Sequence, residues 1–218
     1  MSDQAFVHDA APAAQAGRKL VLASNNPGKL REFSGLLAAL SFTVVPQGEL
    51  GVPEAEEPYA TFLENALTKA RHASQLTGLP ALADDSGLCV QALRGAPGVY
   101  SARYAQLAGG EKSDAANNAR LLAELGRLPT GADRRAYFYC VLAFVRSADD
   151  PQPIIAEGRW DGEILEAPRG AAGFGYDPLF YVAGLGLTAA EMDGAVKSQH
   201  SHRALALREL LIKLERES

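Results

Sequence analysis

The feature that most constrains this chain is an apolar run, Leu79 to Ala83, that stops at Asp84-Asp85-Ser86-Gly87. The run reads as a short buried strand, and it ends on two adjacent carboxylates. Adjacent carboxylates repel each other unless a cation, a proton or a strong donor neutralises them. An N-cap or an Asx turn accounts for one aspartate there, and not readily for two. Open α/β sheets place ligands at the carboxyl ends of their strands. The pattern therefore predicts a strand end that presents a hard cation and a ligand.

The rest of the composition allows such a strand to be buried. At 218 residues, 47% of them hydrophobic, the chain can form one globular unit with a sizeable core. Its net charge of −5 argues against a general nucleic-acid or membrane-surface binder, and leaves room for a local basic pocket. Cys89 and Cys140 stand far apart in apolar settings. They fit neither a disulfide scaffold nor a zinc ribbon, and read as buried thiols in a reducing compartment. No apolar run approaches the roughly 20 residues of a membrane span. Residues 1–17 lack a basic n-region and a continuous apolar segment, so they are expected to be a disordered tail and not a signal peptide. The domain is expected over 18–218, and its location in the cytoplasm.

Strand and helix signals alternate, which means an α/β class. Lys19 to Ala23 reads as a first strand, and Ser24-Asn25-Asn26-Pro27-Gly28-Lys29 as a turn. A helix with Leu30, Phe33, Leu36, Leu37 and Leu40 on one face follows, then a strand over Phe42 to Pro46. Gly48 to Tyr59 is an acidic loop carrying Glu54, Glu56 and Glu57. Thr61-Phe62-Leu63-Glu64 is a capping box opening a helix to Gly78. Its core stripe is predicted as Leu63, Ala66, Leu67 and Ala70, which puts Asn65, Lys69 and His72 on another face, where a surface lysine is the usual reading. Further on, Ser113 to Gly126 reads as helix and Arg135 to Arg146 as a long strand. Ile154 to Leu165 reads as a strand pair or one bent strand. Thr188-Ala189-Ala190-Glu191 repeats the capping-box pattern, and Ser201 to Glu215 closes the chain as an amphipathic helix.

Several of these segments can carry chemistry. Backbone N–H groups at a helix start together with Lys29 suit a phosphate, although the spacing is not that of a Walker A loop. Of Asp84 and Asp85, one carboxylate can bind Mg²⁺ while the other holds a water. The Asp-x-Asp-x-[Thr/Val] pattern of aspartyl-phosphate chemistry is absent, so a covalent aspartyl intermediate is not supported. Gly173-Phe174-Gly175-Tyr176-Asp177-Pro178 is a glycine-rich loop with two aromatics, either a tight turn over core rings or a platform on which a base can stack. Lys197-Ser198-Gln199-His200-Ser201-His202-Arg203 has no third metal ligand nearby and reads as a donor-rich segment for a phosphate or a base edge.

Taken together, these motifs resemble the inosine triphosphate pyrophosphatase family, from about Lys19 to the last helix and in the family's order. They include Thr61 to Ala66 with Lys69-Ala70, Ala83 to Leu88, Gly95-Ala96-Pro97-Gly98-Val99-Tyr100-Ser101-Ala102-Arg103-Tyr104, the Phe174 loop, and Lys197 with Ser201-His202-Arg203. The resemblance implies a two-lobed α/β fold with a long mixed β-sheet, flanking helices and a central substrate cleft. It implies a homodimer, Mg²⁺ as cofactor, and a nucleoside triphosphate cleaved to the monophosphate and pyrophosphate, with non-standard purines such as ITP, dITP and XTP as substrates. By motif position, Ser24, Asn25, Asn26, Pro27, Gly28, Lys29, Lys69 and Ser86 contact the triphosphate. Glu56 and Asp85 hold the metal, with Asp85 also the general base. Phe174, Gly175, Tyr176, Asp177, Lys197, His202 and Arg203 surround the base. A pyrimidine-directed pyrophosphatase of the septum-inhibitor type is the nearest alternative, and the Phe174 loop and the His202-Arg203 pair argue against it. A nucleotide-binding module without turnover has little use for Glu56, Asp84, Asp85 and the lysines together.

Overall fold

The computed structural model describes residues 18–216 except 27, 31, 32, 34–36 and 38–41. The expected tail, Pro27, Leu36 and Leu40 lie outside the described residues. The strands are β1 (Arg18–Leu22), β2 (Phe42–Pro46), β3 (Ala81–Val90), β4 (Arg135–Val145), β5 (Ile154–Ile164), β6 (Phe180–Val182) and β7 (Leu187–Thr188). The helices are α1 (Phe62–Thr77), α2 (Asp114–Gly126), α3 (Gly194–His200) and α4 (His202–Arg216). Gly28, Lys29, Leu30, Phe33 and Leu37 are also helical, on the crossover between β1 and β2.

One mixed sheet runs β2-β1-β3-β4-β5-β6-β7. β1 is parallel to both β2 and β3, and every later pairing is antiparallel. Helices cover both faces. On one, α4 contributes Ala206, Leu207, Leu210 and Leu214, which pack with Phe33 and Leu37 on Leu20, Leu22, Leu82 and Leu142. On the other, α1 contributes Ala66, Ala70 and Ala73 to Val21, Ala81, Ala83, Val141 and Val145. A further core gathers Leu88, Val90, Leu121, Phe138, Trp160, Tyr176 and Phe180 toward the far ends of the long strands. These cores at opposite ends of β3, β4 and β5 are the two expected lobes.

β3 departs from the sequence reading. It does not end at Ala83; the ladder with β4 continues unbroken from Ala81↔Val145 to Val90↔Ala136, with Asp84 and Asp85 inside it. Unpaired charges end a strand, but here cations from distant elements neutralise both carboxylates in place. Ile154 to Ile164 is a single strand. The Thr188 capping pattern opens no helix: Glu191 Oε2 accepts from Thr188 N (2.7 Å) within a turn, and α3 is capped instead by Asp193, whose Oδ1 accepts from Val196 N (2.7 Å). The Thr61 N-cap forms as expected, with Glu64 N donating to Thr61 Oγ1 at 3.2 Å, and the Thr61 hydroxyl donates in turn to Glu64 Oε2 (2.6 Å).

Candidate active site

Side chains alternate across a strand, so neighbours at positions 84 and 85 face opposite sides of the sheet. Asp84, 1% exposed, faces the α4 side. Lys29 Nζ lies 2.8 Å from its Oδ1 and Arg203 Nε 3.7 Å from its Oδ2. Ser86, two residues on and therefore on the same face, donates its hydroxyl to Asp84 Oδ2 (3.3 Å) and accepts from Arg203 Nη2 (3.0 Å). Burial pushes the Asp84 carboxyl up, but Lys29, Arg203 and Lys69 together outweigh burial and hold it well below the usual carboxylate range. It stays ionised and anchors both cations.

Asp85 faces α1. Because that helix presents alanines to the sheet, it sits close, and Asn65 and Lys69 reach the strand. Asn65, expected on an outer face, is fully buried. Its Nδ2 donates to Asp85 Oδ2 (3.3 Å) and to the Tyr59 carbonyl (3.2 Å). Lys69 is not a surface lysine either: its Nζ is shared between Glu57 Oε1 (2.7 Å) and Asp85 Oδ1 (3.2 Å). Arg103 Nη1 holds the other Glu57 oxygen at 3.1 Å. The Asp85 pKa is raised, by burial first and then by Glu57 and Asp84, against the pull of Lys69. The exposed Glu56 stands on the same cleft wall, while its neighbour Glu57 makes the ion pairs.

Two clefts meet over this strand. The first, about 780 Å³, is lined by Ser24, Asn25, Asn26, Lys29, Glu54, Glu56, Glu57, Lys69, Asp84 and Arg103. The turn is built for it: Asn26 Oδ1 accepts from Gly28 N (2.8 Å) and Lys29 N (3.3 Å), and Asn25 Oδ1 accepts from Gly48 N (2.9 Å). The second, about 670 Å³, is lined by Ser86, Phe174, Gly175, Tyr176, Asp177, His202 and Arg203. Asn26, Lys29, Ala102 and Lys112 line both.

The Phe174 loop is tied down from several sides. Gly173 has φ +79°, and a Cβ there would stand 2.1 Å from Asp177 Oδ2, so only glycine fits. The same oxygen accepts from Phe174 N (2.8 Å) and from Lys197 Nζ. Asp114 and Asn118 of α2 bind Gly175 N (2.7 Å) and Gly175 O (2.8 Å). The buried Tyr176 hydroxyl donates to Ser101 O (2.9 Å). Phe174 itself is 41% exposed, with Lys197 Nζ 5.1 Å and Arg203 Cζ 5.2 Å from its ring centroid. His202 is buried and stacks on Phe138 (4.8 Å, 12°); burial, then Arg203 and Lys197, push its pKa well down, so it is neutral at physiological pH.

Of the residues expected from sequence, the structure brings together the turn, Lys29, Lys69, Asp85, Ser86, the Phe174 loop, Lys197, His202 and Arg203. Pro27 lies outside the described residues. The sequence offers Glu57 only as part of an acidic pair with Glu56 that needs a cation, and gives no role to Arg103, Lys112, Asp114 or Asn118. Arg103 was visible within the Gly95-to-Tyr104 motif, and Glu57 within the acidic cluster.

A mixed α/β sheet whose third strand holds two buried, cation-paired aspartates beside a polar cleft, with an exposed phenylalanine on the neighbouring cleft, defines an α/β enzyme of phosphate chemistry. The chain belongs to the Ham1 family, whose profile matches residues 20–213; this is the inosine triphosphate pyrophosphatase family that the motifs resemble. It is 69% identical over 199 residues to a dITP/XTP pyrophosphatase of Burkholderia pseudomallei, covering 91% of this chain and 94% of that protein. It is 68% identical to a dITP/XTP pyrophosphatase of Ralstonia nicotianae, covering 90% of this chain and 96% of that protein. Among solved structures it is similar to a HAM1 protein from Coxiella burnetii, at a TM-score of 0.85 and 48% identity over 91% of this chain and 99% of that one. Among the described residues, no helix is long and apolar enough to cross a membrane.

Proposed function

We propose that this chain is a pyrophosphohydrolase that cleaves dITP, XTP and ITP to the monophosphate and pyrophosphate, clearing non-standard purines from the nucleotide pool. The observation that carries this reading is the junction of the two clefts at Asn26, Lys29, Ala102 and Lys112. One cleft offers cations to a triphosphate, and the other offers Phe174 to a base. Each has a volume in the range of small-molecule sites.

Lys29 and Lys69 line the cleft wall that a triphosphate would occupy, where they offset its charge and orient the α-phosphorus toward Asp85. Asp85 accepts a proton from water as the water attacks that phosphorus, and the bond to the pyrophosphate oxygen breaks in line. The proton stays on Asp85 until release. Burial and the neighbouring carboxylates raise the basicity of Asp85 above that of a free aspartate, which suits this role.

The residues fit Mg²⁺. Among the described residues no group of three or more His, Cys, Asp or Glu could enclose an ion. Mg²⁺ is typically bound by one or two carboxylates plus substrate phosphates, and Asp85 with Glu56 or Glu57 supplies that oxygen set. When bound, the ion neutralises charge on the leaving pyrophosphate. Arg203, beside Phe174, donates to the 6-oxo group of hypoxanthine or xanthine and faces a donor in adenine. The reading includes a homodimer in the cytoplasm, with no nucleic-acid or membrane partner, and sedimentation tests its assembly. Pyrophosphate release from a panel of dITP, XTP, ITP, dATP and dGTP, with Mg²⁺ and with EDTA, tests the activity. Equal rates on dITP and dATP, or full activity in EDTA, would overturn it.

A further inference from the structure

The 3-10 helix Gly98–Arg103 supplies none of the expected substrate contacts, yet it is bonded to β3, the Phe174 loop, α2 and the acidic loop. It lies flush on β3 because Gly87 lacks a Cβ, which would stand 2.4 Å from Gly98 O and 2.5 Å from Ser101 Oγ. Ser101 Oγ accepts from Leu88 N (2.9 Å) and donates to Gly98 O (2.6 Å). Ser101 O accepts from Tyr176, and Ala102 O from Asn117 Nδ2 (3.3 Å). The segment is thus fixed to the strand of Asp85, to the Phe174 loop and to α2. Its last residue, Arg103, reaches the acidic loop: Nη1 lies 3.1 Å from Glu57 Oε2 and Nη2 3.5 Å from Glu57 O.

A guanidinium can take a side-chain oxygen and a carbonyl at once, which an ammonium on a flexible stem does less well. With Oε2 held by Arg103, Glu57 offers Oε1 alone to Lys69, and Lys69 remains shared with Asp85. Without Arg103, both Glu57 oxygens are free for Lys69 and the loop backbone loses its clamp. We infer that Arg103 is a positioning residue for the hydrolysis, which fixes Glu57 from the rigid Gly98–Arg103 segment and so keeps Lys69 on Asp85. Its rate effect rests on the pyrophosphohydrolase reading; its effect on the acidic loop does not.

The test compares wild type, Arg103→Ala and Arg103→Lys in pyrophosphate release from dITP, in calorimetric binding of tripolyphosphate, in melting temperature and in amide hydrogen exchange over residues 54–60. Misplacement of a catalytic group by about 1 Å can cost roughly 100-fold in rate. The expected result for Arg103→Ala is a kcat lower by roughly 10- to 100-fold, less in Arg103→Lys, with KM and tripolyphosphate affinity within about threefold. Exchange over 54–60 rises. In a Glu57→Ala background, Arg103→Ala has little further effect, because its action runs through Glu57. An undiminished kcat per folded molecule, even with a lower melting temperature, would make Arg103 merely structural and overturn the inference. So would a loss of tripolyphosphate affinity with kcat intact, which marks direct phosphate contact, or a full effect in the Glu57→Ala background. A wild type that releases no pyrophosphate sinks the function reading, and unchanged exchange over 54–60 then sinks the positioning role as well.

Discussion

Replacing Lys69 by alanine leaves Glu57 and Asp85 as neighbouring carboxylates without the cation they share. Removing one partner of a buried ion pair costs about 3–5 kcal/mol. Lys69 is 13% exposed and Glu57 28%, so solvent screening reduces that figure. Asp85 also has an escape by taking up a proton. A loss of about 2 kcal/mol at neutral pH follows. For a chain of this size each kcal/mol moves the melting temperature by about 2–4 °C, so Lys69→Ala should melt about 4–8 °C lower. The pH dependence identifies the cause. The Asp85 pKa is already raised by burial, and without Lys69 it climbs further. A carboxylate whose folded pKa lies above its unfolded value binds more protons when folded. Stability therefore falls as pH rises from the unfolded pKa through the folded one, and is flat above it. Glu57, whose pKa Lys69 and Arg103 hold down against burial, loses stabilisation in the same neutral range. The deficit should be largest near about pH 7 and shrink toward about pH 4.5. Thermal unfolding of both proteins at the two pH values measures this. A deficit equal at both, or none at either, refutes the claim that Lys69 neutralises this pair.

Asp85→Asn should keep the fold and remove nearly all pyrophosphate release, since the amide cannot accept the water's proton; a wild-type rate in this variant would reassign the base. Tyr176→Phe removes the hydroxyl bonded to the Ser101 carbonyl, costing about 1 kcal/mol and about 2–4 °C in melting temperature, and an unchanged transition would show that this bond contributes nothing. Arg203→Ala should erode the preference for ITP over ATP, because a site built to hydrogen-bond a group can reject an analogue lacking it by roughly 10⁴–10⁵-fold. The ratio of kcat/KM values for the two nucleotides decides it, and an unchanged high ratio would move selectivity to another residue.

The chemistry-bearing segments were legible because each carries an unusual local pattern: two aspartates after an apolar run, a lysine at a helix start, aromatics among glycines. Their partners were not. Asp84 and Asp85 looked like a strand terminus because the cations that let them sit mid-strand come from Lys29, Lys69 and Arg203, far away in the chain. Helical spacing put Leu63 in the core stripe and Lys69 on another face, but Leu63 is 41% exposed, and Asn65 and Lys69 turn toward the strand beside Ala66, Ala70 and Ala73, whose small side chains let the helix sit close. That Glu57 and not Glu56 makes the ion pairs depends on Lys69 and on Arg103, 46 positions from Glu57, and no local periodicity spans that distance.

The alternation along β3 makes the strand a partition, with Lys29 and Arg203 answering to Asp84 on one side and Lys69 to Asp85 on the other. Because side chains repeat every two residues, a single-residue insertion or deletion between Leu79 and Ala83 would exchange the sides of Asp84 and Asp85 and invert their roles. The unbroken ladder with β4 is what prevents the exchange. Length variation in a lineage of such chains should therefore collect in the turn between β4 and β5 and spare the approach to Asp84, where one codon more or less would leave both aspartates present and neither facing its own cations.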